Sequence, residues 1–167
     1  PDIVVFLDGD YSDYPEELLD LIQPILDHKA DMVIGSRALG EREAGSMTFP
    51  QVFGNWLATT MMKYMQGAKF SDLGPFRAIV WTKLLDLNMI DQNFGWTIEM
   101  QIKAHKSGLR YTEVPVNYRK RIGVSKVRGT VKGVFGAGYK TVSYQHLTLA
   151  TVCMRLILVV CGGSIKK

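Results

Sequence analysis

Apolar residues along this chain come in short unbroken runs and in stripes of helical spacing, and the two alternate. Ile3-Val4-Val5-Phe6-Leu7 is an unbroken apolar run of the kind that marks a strand covered on both faces of a parallel sheet. Asp13-Tyr14-Pro15-Glu16 then reads as a helix start. Asp13 or Tyr14 is the N-cap, Pro15 lies in the first turn, and Glu16 and Glu17 sit at the positive end of the dipole. The spacing predicts a helix to about His28, kinked or broken at Pro24. Asp31 to Arg37 reads as a second short strand ending in a loop, which makes a strand–helix–strand unit. A polar loop from Ala38 to Thr48 follows. Phe53, Trp56, Leu57, Thr60, Met61, Tyr64 and Met65 then fall on one helical face, expected to pack in the core.

The pattern continues with a strand over Phe76–Val80, a short helix over Trp81–Leu87 and a helix over Thr97–Ser107 stopped by Gly108. Arg110 to Tyr118 alternates as a strand, with Val114, Val116 and Tyr118 on one face and Pro115 arguing for an edge or a bulge. Thr130 to Tyr144 reads as an amphipathic helix weakened by glycines. Leu147 to Val160 is apolar but broken by Arg155, and falls short of the roughly 20 residues needed to span a bilayer, so an interfacial or buried segment is expected. The class this predicts is α/β, as one domain over residues 1–140 followed by an amphipathic, apolar tail over 141–167.

Charge changes this picture. Residues 1–100 hold 7 Lys and Arg against 15 Asp and Glu, and residues 101–167 hold 13 against 1. An acidic half beside a basic half fits metal at one end and phosphates or an anionic membrane face at the other. The two cysteines have no metal-ligand spacing and the three histidines are scattered, so neither type is assigned chemistry. The chain opens at Pro1, barely ahead of its first strand, and is expected to be part of something longer.

The strongest chemical signal lies directly after the first strand, at Asp8-Gly9-Asp10. In open α/β sheets the working groups gather past the carboxyl ends of strands, and two carboxylates so close need a cation or a proton between them. Oxygen donors of this kind suit Mg²⁺ or Mn²⁺, and such an ion would hold a diphosphate. Gly9 is expected to permit a sharp turn. A second signal is the run of six basic residues from Arg119 to Lys132, broken by Gly123 and Gly129, which reads as a cationic lid.

Five clusters follow the aspartates: Gly35-Ser36-Arg37; Phe53-Gly54-Asn55; Ser71-Asp72-Leu73-Gly74-Pro75-Phe76-Arg77; Gly95-Trp96-Thr97-Ile98-Glu99-Met100-Gln101; and Tyr118 to Lys126. In order and spacing the set resembles the family 2 glycosyltransferases of the GT-A fold, and among them the polyprenyl (dolichyl) phosphate sugar transferases of the dolichyl-phosphate mannose synthase type. The resemblance runs from about Asp2 to Lys140. It implies a partial GT-A fold with a mixed, mostly parallel sheet flanked by helices. Asp8 and Asp10 would be the metal-holding pair, and Ser12 stands where mannose synthases carry a Gln. Arg37, Arg77, Arg119, Arg121, Ser125 and Lys126 are implied as substrate-binding residues, and Asp72 and Glu99 as the catalytic carboxylates. Asp72 would orient a sugar hydroxyl or the acceptor, and Glu99 lies where many members carry their base. The usual Glu-Asp pair is absent, and Gly74-Pro75-Phe76 stands where Ser-Gly-Phe is usual.

The reaction so implied is metal-dependent, inverting transfer of a sugar from a nucleotide sugar to a polyprenyl phosphate or cell-envelope glycan. It would take place at the inner, cytoplasmic face of a membrane with an anionic surface, and no nucleic acid is expected. Members carry base-binding strands ahead of the aspartates, so these 167 residues alone are expected to bind donor weakly or to be inactive. Two other readings stand beside this one. A haloacid dehalogenase-type phosphatase also begins with a strand and Asp-x-Asp, but needs a downstream acidic pair that is not found. The basic half alone could be a non-enzymatic binding module, though aromatic residues are not interleaved with its charges as stacking platforms require.

Overall fold

A computed structural model describes residues 1–92 and 95–123, and the statements below concern those residues. Four strands, β1 (Ile3–Phe6), β2 (Met32–Ser36), β3 (Arg77–Val80) and β4 (Tyr111–Pro115), form one sheet in the order β1-β3-β2-β4. The helices are α1 (Leu18–Leu26), α2 (Phe49–Gln66), α3 (Trp81–Asp86) and α4 (Trp96–Lys106). The expected α/β class and mixed sheet are both present. What the local pattern did not carry is the insertion of β3. It lies between β1 and β2 and runs antiparallel to both, while β2 and β4 pair in parallel. β1, β2 and β4 therefore point one way and β3 the other.

Alternation along the strands splits the core into two layers. Met32, Ile34 and Ile79 face a layer with Met62 of α2 and Ile98, Met100 and Ile102 of α4. Val33 and Ala78 face the opposite layer with Leu21 and Ile25 of α1 and with Val116. Pro115 ends β4, which is an edge strand as its proline required.

The first helix begins as a single 3₁₀ turn over Pro15–Glu17 with Tyr14 at its N-cap, then continues as α1. Pro24 lies inside α1 without dividing it, and the change of helix type falls before Leu18 instead. A proline's missing N–H costs little in a helix of nine residues that ends two positions later. Helix α2 starts from a capping box of Thr48 and Gln51 and stops at Gly67, whose φ is +72°.

The stripe expected to fill the core faces outward. Phe53, Trp56, Leu57, Tyr64 and Met65 are exposed, and the buried side of α2 is Ala58, Thr59 and Met62. Small residues at 58 and 59 let the helix approach the sheet closely, and the bulky residues of the same helix are left on its far side. Hydrophobic periodicity locates a helix but does not say which of two apolar faces turns inward.

No described helix is long and apolar enough to cross a membrane. The helix and apolar stretch expected over residues 130–160, the 140/141 boundary, and Ser125 and Lys126 lie outside the described residues.

Candidate active site

The strand directions bring four of the clusters to one end of the sheet. Asp8-Gly9-Asp10 leaves the carboxyl end of β1, Arg37 that of β2, and Asn117–Arg121 that of β4. Because β3 is antiparallel, its amino end, with Ser71–Phe76 before it, lies at the same place; Gly35 N–H donates to the Phe76 carbonyl at 2.8 Å. Past β4 the chain runs alongside the acidic turn, the Arg119 and Ile122 amides donating to the carbonyls of Ser12 (3.0 Å) and Asp10 (2.9 Å).

This backbone pairing carries the basic run onto the acidic one. Arg121 forms an ion pair with Asp10 at 2.8 Å. The other oxygen of Asp10, Oδ1, accepts from both the backbone amide and the hydroxyl of Ser12. Arg119 is turned to the loop itself. Its guanidinium sits 3.3 Å from the Tyr11 ring centroid and 4.4 Å from that of Tyr14, and donates to the carbonyls of Tyr11 and Asp13. The chain turns at Gly9 and Asp10 as expected, and the positive φ of this segment falls at Tyr11 (+70°).

Asp8 is held above the usual carboxylate range by burial, and next by the charge of Asp10, with Arg121 and Arg37 opposing. A third carboxylate stands behind it. Asp13 is buried, its Oδ2 accepts the Asp8 amide at 3.3 Å, and its Oδ1 has no hydrogen-bond partner. Burial, above all, raises its pKa to about 6, the Asp8 amide bond acting against it. Sequence reading offered Asp13 only as a helix cap, because nothing local marks it as buried.

The donor set fits a hard divalent ion in its chemistry: carboxylate oxygens of Asp8 and Asp10, with an unsatisfied carboxylate oxygen of Asp13 behind them. Among the described residues no three His, Cys, Asp or Glu side chains converge as a closed metal cage, so such an ion would take its remaining oxygens from substrate phosphate and water.

A raised folded-state pKa means that the charged form of Asp13 is disfavoured by folding. Its contribution to stability is favourable below 3.8 relative to higher pH and is lost as pH rises through about 6. Asp13→Asn, which keeps an oxygen for the Asp8 amide, is therefore expected to melt at higher temperature than the parent at pH 7.5 without divalent ions. The gain should vanish at pH 3.5 in the same thermal scans.

Arg37 and Asp72, implied separately by the resemblance, are one unit. Arg37 Nε donates to Asp72 Oδ2 at 2.7 Å and Nη2 to Oδ1 at 2.8 Å, and the Arg37 amide adds a third bond at 2.8 Å. Burial would raise Asp72, yet the Arg37 bonds and charge hold it below its ordinary value. Burial would likewise lower Arg37, and Asp72 more than reverses this.

The loop carrying Asp72 is latched by Asn55 and Gln101, which the clusters contained without an assigned role, and by Glu113 of β4. Asn55 holds Ser71 and Leu73 through their backbone, Gln101 donates to the Asp72 carbonyl at 2.8 Å, and Glu113 accepts the Ser71 amide. Gly74 is required where it stands, since a Cβ would come within 2.8 Å of the Gly35 carbonyl.

Arg77 is fully buried, lies 5.2 Å from the Trp96 ring centroid and donates to the carbonyls of Leu73, Gly74 and Thr97. Burial lowers its pKa to about 9, against the attraction of Asp72. Glu99 is also buried. It accepts the amides of Ile90 (2.9 Å) and Asp91 (2.7 Å) and pairs with Lys103 at 2.7 Å. Burial would raise it, but Lys103 and the two amides outweigh that and keep it below the usual range.

Beside the Arg37–Asp72 pair a cavity of about 180 Å³ opens between the 37–47 loop and α2, lined by Arg37, Arg42, Val52, Asn55, Trp56 and Thr59 among others.

The glycosyl transferase family 2 profile matches residues 1–86. An undecaprenyl-phosphate mannosyltransferase of Micrococcus luteus is 28% identical over 137 residues, covering 79% of this chain and 56% of that protein. An uncharacterized glycosyltransferase of Mycobacterium tuberculosis is 31% identical over 134 residues, 78% of this chain and 59% of its own length. Glycosyltransferase AglJ of Haloferax volcanii is 29% identical over 119 residues, 71% of this chain and 39% of that protein. The chain thus spans about half the length of these relatives. The clustering of the motifs at one sheet end and the profile match agree, and the phosphatase alternative is set aside: this chain belongs to glycosyl transferase family 2.

Proposed function

We propose that the protein of which these residues are part transfers a glycosyl group from a nucleotide sugar to a polyprenyl phosphate, with Asp8 and Asp10 holding Mg²⁺ or Mn²⁺. The observation that carries this reading is the convergence of the Asp8–Asp10 turn and Arg121 at one end of the sheet, an acidic pair for a cation with a guanidinium for a phosphate. The name of the Micrococcus relative supports the lipid phosphate acceptor and a mannosyl donor.

When bound, the ion would neutralise charge on the departing diphosphate. Arg121 pairs with Asp10 here, and would be the guanidinium for a diphosphate oxygen if Asp10 held the ion. Arg119 stacks against Tyr11 and Tyr14 and fixes the loop that presents both aspartates, and Ser12 orients Asp10. Arg37 and Asp72 form the acceptor-side wall, and Arg77 and Glu99 hold the segments flanking it; an acceptor that is already anionic needs no strong base. Displacement from the face opposite the leaving group inverts the anomeric centre.

The test is transfer of radiolabelled sugar from GDP-mannose, and from other nucleotide sugars in parallel, to undecaprenyl phosphate by the protein at full length. Label extractable into chloroform–methanol is expected with Mg²⁺ or Mn²⁺ and is expected to fall to background with EDTA. Release of phosphate from an aryl phosphate, or lipid labelling indifferent to EDTA, would overturn the reading.

A further inference from the structure

Tyr11 follows directly on the acidic pair, and the chain holds it in a conformation that its own side chain opposes. Its φ of +70° lies in the left-handed region, which a Cβ disfavours and which glycine and asparagine enter readily. Among the described residues, His28 and Asn88 are the other non-glycine positions with positive φ. Each of those follows the end of a helix, α1 or α3, where such backbone is an ordinary stop. Tyr11 ends no helix. A bulky residue stays in this region only where its surroundings over-determine it.

The surroundings here are Arg119. Its guanidinium is wedged between the rings of Tyr11 and Tyr14, and it holds the carbonyl of Tyr11 as well as the ring, Nε donating at 2.6 Å. A planar fork that stacks and donates at once is a property of arginine that lysine lacks. The turn so fixed brings Ser12 back onto Asp10, whose Oδ1 accepts the Ser12 amide at 3.0 Å and the Ser12 hydroxyl. That leaves Oδ2 as the oxygen facing Arg121.

We infer that Tyr11 is a positioning residue of the cation site: its left-handed backbone, held by Arg119, sets the angle at which Asp10 meets a divalent ion beside Asp8. Tyr11 acts through Ser12 and Asp10, and Arg119 acts through Tyr11. The inference rests on the reading of Asp8 and Asp10 as the residues that hold the ion. It carries a sign that charge alone does not. Removing a guanidinium close to a cation site should favour the cation by Coulomb's law, whereas removing the hold on Tyr11 should weaken it.

The test is titration of the protein at full length with Mn²⁺, free ion being counted by electron paramagnetic resonance. Neither nucleotide nor lipid is present, and the temperature is one at which every variant is folded by circular dichroism. Tyr11→Leu and Tyr11→Asn both remove the ring, but only asparagine accepts left-handed backbone easily. Tyr11→Leu is expected to weaken Mn²⁺ binding about fivefold or more, and Tyr11→Asn to stay within about twofold of the parent. Arg119→Ala should weaken binding as Tyr11→Leu does, and Tyr11→Asn added to it should recover most of the loss. The comparison of leucine with asparagine stands by itself if Arg119→Ala folds poorly. Equal losses in Tyr11→Leu and Tyr11→Asn would overturn the inference, as would Mn²⁺ binding in Arg119→Ala as tight as in the parent or tighter. Asp8→Asn separates the two readings. If Mn²⁺ binding survives in it, the cation site falls and this inference with it; if binding is lost there while Tyr11→Leu binds as the parent does, this inference alone falls.

Discussion

Arg37→Met should lose about 3–5 kcal/mol of stability at pH 7.5, the range found when one member of a buried ion pair is removed and the other is left behind. Asp72 is almost fully buried and takes all three of its shortest bonds from Arg37. In the parent its pKa is depressed, so its contribution is present above the unfolded value of 3.8 and is lost as pH falls through the lower folded value. Without the guanidinium, burial is the dominant influence and raises that pKa instead. The penalty of the variant should therefore be full at neutral pH and shrink once pH falls low enough to protonate the stranded carboxyl. Urea unfolding at pH 7.5 and pH 4.5 measures both. The double variant Arg37→Met/Asp72→Leu should recover much of the loss, because an apolar pair of similar volume removes the desolvation of both charges. A penalty independent of pH would show that Arg37 stabilises by packing on Tyr118, whose ring centroid lies 5.0 Å from its guanidinium, and not by pairing.

That pair also shows where sequence reading stops. Arg37 and Asp72 both stand in the clusters that carry the resemblance, each weak alone and telling only as an ordered set, and that set implies different tasks for the two residues. Only the antiparallel insertion of β3 between β1 and β2 brings residue 72 against residue 37, and strand order is not encoded in periodicity. The strands, the helix starts and the stop at Gly108 were legible since each rests on residues within one turn of itself. The Arg121–Asp10 contact, whose members stand 111 positions apart in sequence, followed from charge asymmetry in kind but not in detail. Arg119 was read as a phosphate ligand because a guanidinium in a basic run looks the same whether it faces solvent or two tyrosine rings. Helix α2 failed in the opposite sense. Its position was right and its orientation wrong, because core packing there selected small side chains and left the large ones outside.

Asp8→Asn should separate the cation from everything else in the site. Asp8 is disfavoured in its charged form, chiefly by burial and then by Asp10, so neutralising it is expected to leave the metal-free protein as stable as the parent at pH 7.5 or more so. Mn²⁺ with inorganic pyrophosphate, a probe that needs no nucleoside strands, should raise the melting temperature of the parent by ligand linkage. At a ligand concentration 100-fold above Kd that stabilisation is about 2.7 kcal/mol. In Asp8→Asn it should fall to near zero, because one of two carboxylates for a hard ion is gone. Arg121→Gln is expected to behave differently. Losing the ion pair frees Asp10, so Mn²⁺ alone should bind at least as well as in the parent while the added effect of pyrophosphate shrinks. The two variants thus divide the site into a cation half and a phosphate half. Pyrophosphate stabilisation that survives in Asp8→Asn and disappears in Arg121→Gln would mean that the acidic turn shapes the loop and the basic residues alone grip the diphosphate.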